Sequence, residues 1–493
     1  MPPPNTTGLQ SISSARINYT LILMMLMVGS MQFGASLIQM PTESLMRDAI
    51  CYEYYGRPSN VTSKDIYCEV SEVQTELDRF KIISQVFQAA GGLLCAYPLG
   101  KLADQKGRRL LLVGGAAMWL LCYGILILSL GTVPMNMGWM MGLFIGGGKT
   151  VVEIMVFAIA TDVSDDEMRS TFYANIISSA LVGSFISQLV VERLHNINVQ
   201  VPILIAIFPV ALAAFIVFAI REPLFARREQ YREQEELTPR FRPRRPLAQV
   251  LDALVSSRSL LLLVIAFITL PVATASLSSF EKYFPAAFGV SSVFKSTGYG
   301  PASFYFWSSF FAIQAINCAI IVSNCCLRRN TRRSTAQGDY IILFASAFPL
   351  MLGSLLLVCS DKGAAVAGLV FASLATGLFT HSRALLLYKV GAAMRTKFVG
   401  RMFAVTAMLQ SAATMCLVPA MGFVTRSRPR DNAPMWILFA ISGIILHASY
   451  FSRKALATST PGPALGEMGL EDGIQLRDVD VPRMPPPAYS HGV

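Results

Sequence analysis

Twelve apolar runs, each close to bilayer-spanning length, punctuate this chain and leave it few folds to choose from. They lie at about 19–40, 80–99, 110–130, 135–161, 170–191 and 201–220, then at about 259–283, 302–326, 340–359, 364–388, 402–424 and 434–452. A hydrocarbon core about 30 Å thick takes roughly 20 helical residues to cross. Inside it every backbone N–H and C=O must find a partner within the protein, so runs of this length are helices. Charged residues make up 14% of the sequence, against about 25% in a soluble domain. Much of the exterior must therefore face lipid. The expectation is an all-α membrane protein of twelve transmembrane helices in two six-helix bundles. The bundles cover 19–220 and 259–453, with a linker at 221–258 and terminal segments at 1–18 and 454–493.

Charge sets the orientation. The net charge is +11, and the basic residues gather on one side of the spans: Lys101, Lys106, Arg108 and Arg109, the linker arginines, Arg328, Arg329, Arg332 and Arg333, then Lys389, Arg395, Lys397 and Arg401. Lys and Arg accumulate in cytoplasmic loops, which places the linker and both terminal segments inside. Arg426, Arg428 and Arg430, in the last outer loop, depart from that pattern. Topology accounts for the charge, and nucleic-acid binding is not expected. The start lacks the basic region and cleavage site of a signal peptide, so the first span is expected to remain as the insertion signal.

The second and third spans are joined by Gly100-Lys-Leu-Ala-Asp-Gln-Lys-Gly-Arg-Arg109. Gly100 permits close helix approach, and Gly107 permits a turn that a side chain would resist. Asp104 sets a carboxylate among arginines. This decapeptide resembles the signature loop between the second and third helices of the major facilitator superfamily. The resemblance implies the major facilitator fold, two bundles around a midplane cavity that opens to alternate sides. It also implies a cytoplasmic charge cluster that holds the halves together while the cavity faces outward. The residues for such a gate are Gly100, Asp104, Gly107, Arg108 and Arg109, with Asp162 at the end of the fourth span and Arg169 beyond it. The second-half counterpart, Arg328–Arg333, keeps the basic charge but lacks the glycines and the aspartate.

Ionisable groups inside the spans are few, and each costs about 2.5–3.5 kcal/mol to insert. The fourth span holds Gly146-Gly-Gly-Lys-Thr-Val-Val-Glu153. This is not a nucleotide loop, because position 143 is Leu where that motif needs Gly. The glycines suit close helix packing instead. Lys149 and Glu153 lie one turn apart on one face and can neutralise each other. They are read as lining a substrate and proton cavity, Glu153 as proton carrier and Lys149 as its counter-charge or as a contact for an anionic solute. A structural ion pair facing only protein is the alternative. The tenth span, counterpart of the fourth, holds His381 and Arg383. His381 is a candidate proton relay or a merely hydrogen-bonded histidine. Arg383 belongs to the cavity or snorkels to the cytoplasmic boundary. Gln32, Gln39, Gln85, Gln88 and Asn317 are neutral groups for the cavity wall or for gluing helices together.

The outer loop at 41–78 contains the acceptor pattern Asn60-Val-Thr62, a glycosylation site if it faces outward. Cys51 and Cys68 face an oxidising compartment there and are candidates to close one disulfide loop. The other seven cysteines fall in or beside apolar spans as small hydrophobes. The segment Ala49-Ile-Cys-Tyr-Glu-Tyr-Tyr55 resembles a Cys-x-x-Tyr-Tyr element of a fungal branch of these transporters. Some members of that branch are associated with export of secondary metabolites. The fifth span, at Ala180–Ile186, lacks the Gly-Pro pair of drug–proton antiporters. The tail contains Pro486-Pro487-Ala-Tyr489, which fits the ligand of WW domains and implies a WW-bearing ubiquitin ligase as partner.

No nucleotide motif, nucleophile elbow or metal-ligand spacing is present, so neither an enzyme nor a cofactor is expected. The resemblance implies a secondary transporter of a small organic solute, with export of a secondary metabolite as one direction. The plasma membrane is the expected location. The driving force is an ion gradient or the solute's own, with proton coupling through Glu153 as the working expectation. The alternatives are a sensor of the same fold that moves nothing and a nutrient importer.

Overall fold

The computed structural model describes residues 7–55, 71–128, 135–164, 168–195, 200–220, 335–359, 362–373, 377–389, 392–427 and 433–458. Among these the chain forms eleven α-helices and no strand. The first bundle holds α1 (Thr7–Tyr55), α2 (Ser71–Lys106), α3 (Arg108–Leu128), α4 (Met135–Val163), α5 (Arg169–His195) and α6 (Gln200–Ala219). The second holds α7 (Thr335–Val358), α8 (Lys362–Ser373), α9 (Gly377–Lys389), α10 (Ala392–Ser427) and α11 (Ala433–Thr458). Helices α8 and α9 together occupy the tenth expected span. The linker, the spans expected at 259–283 and 302–326, Asn60, Cys68, Asn317, Pro486, Pro487 and Tyr489 lie outside the described residues.

Six of the described helices are long and apolar enough to cross a membrane. Helix α5 is outside that group. It carries Ser178, Ser179, Ser184 and Ser187 and is held between α1 and α9. Phe208 and Phe215, one helical face of α6, are 76% and 73% exposed. An apolar stripe of that size needs lipid to cover it. In the first bundle α1 packs on α5 and α6, α2 on α4, and α3 on α4 and α6; in the second, α7 packs on α8, α9 and α11. The bundles meet where α2 lies along α10 and α9 touches α5. Ile82 lies near Gly422, Gly92 near Ser411 and Gly100 near Ala404, so α2 and α10 run antiparallel. The buried core follows this seam, passing from α4 and α5 into Ala384, Leu387, Met402 and Phe403 of the other half.

The helices are longer than the apolar runs. Helix α1 begins at Thr7, within the segment read as terminal, and α11 runs to Thr458. The stretch 41–78, read as an outer loop, is helical at both ends because α1 continues through Pro41 to Tyr55 and α2 starts at Ser71. The reason lies in spacing that overall polarity conceals. Met46, Ile50 and Cys51 recur at helical intervals and close on Val73 and Leu77 in a small core of their own. An ion pair between Lys81 and Glu43 ties the same two helices. Cys51 is buried there and disulfide-bonded, with a partner beyond the described residues.

Candidate functional site

Helix α4 carries Lys149 at its midpoint and Glu153 one turn further on. Phe144, exposed, marks the lipid face of this helix. At about 100° per residue, Lys149 stands about 140° and Glu153 about 180° round the helix from it. Both residues therefore face the protein interior. Arg383 of α9 reaches across from the second half to make an ion pair with Glu153, and its guanidinium lies 4.1 Å from the centre of the Phe157 ring. The Arg383 side chain is 5% exposed, whereas the Glu153 side chain keeps 39% of its surface open. Glu153 bonds to Arg383 across the halves, with the Lys149 charge also acting on it from one turn away. Arg383 is buried instead of snorkelling. A buried guanidinium needs a carboxylate in reach, since removing an unpaired ion from water costs several kcal/mol. Lys149, exposed to the interior, makes no ion pair among the described residues.

From this pair a chain of contacts leads to the signature loop. Phe157 meets Tyr173 edge-on at 5.0 Å, and Phe403 of α10 lies 6.2 Å from Phe157 and 6.4 Å from Tyr173. The Tyr173 hydroxyl shares a 2.5 Å hydrogen bond with Thr161. The next residue, Asp162, pairs with buried Arg108, which also donates to the Ala158 carbonyl. Arg169, at the start of α5, is buried too.

A second arm crosses to the other half. Asp104 accepts hydrogen bonds from the backbone N–H groups of Gly400 at 2.9 Å and Arg401 at 3.1 Å. The Arg401 Nε stands 3.8 Å from the same carboxylate. Close approach is required for this contact: a Cβ at Gly400 would sit 2.6 Å from Asp104 Oδ1 and 2.8 Å from the Gly100 carbonyl. Gly107 turns the chain between α2 and α3 with φ at 110°, a left-handed conformation natural to glycine. Arg109 donates to the Phe218 carbonyl near the end of α6.

The remaining polar residues divide by face. Gln39 and Gln32 of α1 lie about 140° and 120° round the helix from exposed Leu26, and Gln85 of α2 lies about 180° from exposed Leu94. All three turn from the lipid face. Gln32 approaches Ser36 at 3.5 Å, and Ser36 donates to Ser184 of α5 at 3.1 Å, which ties α1 to α5. Gln88 bonds locally to Ser84 at 3.4 Å. His381 is not alone: its Nδ1 is 2.8 Å from Asp339 Oδ1 of α7, and both residues are buried.

Sequence reasoning passed over Asp339, Gly400, Phe157, Tyr173 and Phe403, and it took Arg401 only as a loop charge. Asp339 follows the basic run Arg328–Arg333 and looks like a flanking charge at a span entrance. A usable signal was present in the Gly400-Arg401 pair, a small residue and a cation at the entrance of the eleventh span.

Similarity to known proteins agrees with this architecture. The chain is 26% identical over 310 residues to the MFS efflux pump atnC of Emericella nidulans, covering 58% of this chain and 60% of that one. It is 26% identical over 204 residues to the efflux pump ustT of Aspergillus flavus, covering 40% and 39%. The matched regions thus span less than two thirds of either relative. The solved human organic anion transporter MFSD10 (TETRAN) superposes with a TM-score of 0.62 at 15% identity, over 88% of this chain and 99% of that one. That likeness concerns the fold alone. With residues 71–419 matching its family profile, the chain belongs to the Major Facilitator Superfamily, whose transporters are multi-pass membrane proteins of twelve helices and not enzymes.

Proposed function

We propose that this chain is a secondary active transporter that exports a small organic solute by alternating access, with proton coupling through Glu153. The observation that carries the reading is the Glu153–Arg383 ion pair. It joins helices of opposite halves on their interior faces, and the Glu153 side chain is partly exposed. A bond between two bodies that must swing apart is where solute and proton can act on the equilibrium between conformations. Protonation of Glu153 releases Arg383, and the Phe157–Tyr173–Thr161 contacts pass the loosening on to Asp162 and Arg108. Gln32, Gln39, Gln85 and Lys149 complete the wall of the solute cavity. His381, with Asp339, is an accessory proton site. The export direction is supported by the relatives named as efflux pumps.

Four further assignments belong to the same proposal. Cys68 is the disulfide partner of Cys51, Asn60 carries a glycan, and the resident membrane is the plasma membrane. The Pro486-Pro487-Ala-Tyr489 motif recruits a WW-domain ubiquitin ligase that controls endocytosis.

The test compares metabolites inside and outside host cells expressing the wild type or Glu153→Gln, followed by counterflow in proteoliposomes with the solute so found. The expected result is a solute driven outward by the wild type alone and exchanged by both. If wild type and empty-vector cells distribute every solute alike, the transporter reading is wrong. Driven export that is equal in Glu153→Gln removes the proton-coupling role.

A further inference from the structure

We propose that the interior site selects a small organic monoanion, a carboxylate-bearing solute, and that Lys149 is the group that recognises it. The inference rests on the transporter reading above. Lys149 stands at the midpoint of α4 (Met135–Val163), about 21 Å from either end at 1.5 Å per residue. A four-carbon stem cannot carry its ammonium from there to the headgroups, so snorkelling is closed to it. It is nevertheless exposed, and it faces away from the lipid side marked by Phe144. Its surroundings must therefore be an aqueous cavity.

Among the described residues no carboxylate bonds to Lys149. The carboxylate nearest it along the helix is that of Glu153, and the buried Arg383 guanidinium is bonded to that group. Asp339 is buried in a contact with His381. Gln32 and Gln85 contribute only neutral hydrogen-bonding groups. An ammonium in a water-filled cavity walled by protein attracts a negative charge more strongly than it would in bulk water, so the site favours an anion. A cationic solute would meet the Lys149 ammonium as a like charge, which disfavours it. Glu153, one turn from Lys149, repels a second negative charge, which favours a monoanion over a dianion.

The experiment measures ligand-dependent shifts in unfolding temperature of the purified full-length chain. The probes are matched pairs: benzoate with benzamide, cinnamate with cinnamamide, indole-3-acetate with indole-3-acetamide. The expected result is stabilisation by at least one carboxylate and not by its amide. Lys149→Met should weaken that binding at least tenfold, and Lys149→Arg should retain it. Lys149→Gln serves if the Met variant does not fold. Amides that bind as well as carboxylates, a carboxylate preference that survives Lys149→Met, or no binding by any pair would each overturn the proposal. Counterflow of the same compounds separates the two readings. Transport of amides unaffected by Lys149→Met sinks the anion site and leaves the transporter standing. Carboxylate binding that depends on Lys149, without counterflow of any compound, sinks the transporter and leaves the site.

Discussion

Replacing Asp104 with Asn should unlatch the signature-loop end of the molecule by an amount that can be worked out from its contacts. The Asp104 carboxylate is 5% exposed and accepts the Gly400 and Arg401 N–H groups at 2.9 and 3.1 Å. Hydrogen bonds to a charged acceptor contribute about 1.5–3 kcal/mol each. Asparagine keeps one oxygen and turns an amide N–H₂ toward the other donor. One bond is then lost, and the second falls to roughly half its strength as it becomes neutral. The 3.8 Å ion pair with the Arg401 guanidinium is lost as well. These contacts exist only while the halves touch, so the closed state should lose about 2–4.5 kcal/mol relative to the open one, or roughly 30- to 2,000-fold in population. Pulsed electron-spin distance measurements between labels at Lys106→Cys and Tyr450→Cys, in a background without other reactive thiols, read that population. Asp104→Asn should move most molecules to the longer distance. A distribution within twofold of the wild type would refute the reasoning.

Other outcomes follow from the same contacts. Gly400→Ala should open the same end, since its Cβ would sit 2.8 Å from the Gly100 backbone carbonyl; the same label pair reads it, and unchanged distances contradict it. Arg108→Met removes the buried guanidinium paired with Asp162 and should cost about 3–5 kcal/mol of stability, measured as a drop in unfolding temperature that Asp162→Asn in the same chain partly restores. Tyr173→Phe removes the 2.5 Å bond to Thr161 and should weaken inner closure by about 1 kcal/mol, a roughly fivefold change in the same distance populations; no change would show that this contact does not reach the gate.

The spans and the gate were legible for different reasons. Apolar runs of membrane length admit one backbone solution, so α2, α3, α4, α6 and α10 could be placed from sequence. The decapeptide at 100–109 carries its turn in Gly107 and its charges in fixed order. Pairing of the intramembrane charges was less accessible. Helical periodicity links Lys149 to Glu153 because they are neighbours in sequence, whereas the buried Arg383 that takes Glu153 is 230 residues away. Asp339 and His381 illustrate the same limit, for neither local pattern points to the other. Polarity misled at 41–78, where two helical ends bury Ile50, Cys51, Val73 and Leu77 against each other and leave their charged faces outward. Close approach of Gly100 to Gly400 depends on the packing of two halves, which no single segment encodes.

The central claim is that the halves swing about the Glu153–Arg383 pair, closing one end as the other opens. Distances taken at both ends of the same preparation test it most directly, with Lys106→Cys and Tyr450→Cys at one end and Tyr52→Cys and Trp436→Cys at the other. Lowering pH, or replacing Glu153 with Gln, should shift the two distributions in opposite directions. Two ends that lengthen together, or that both ignore the loss of the Glu153 charge, would contradict the account.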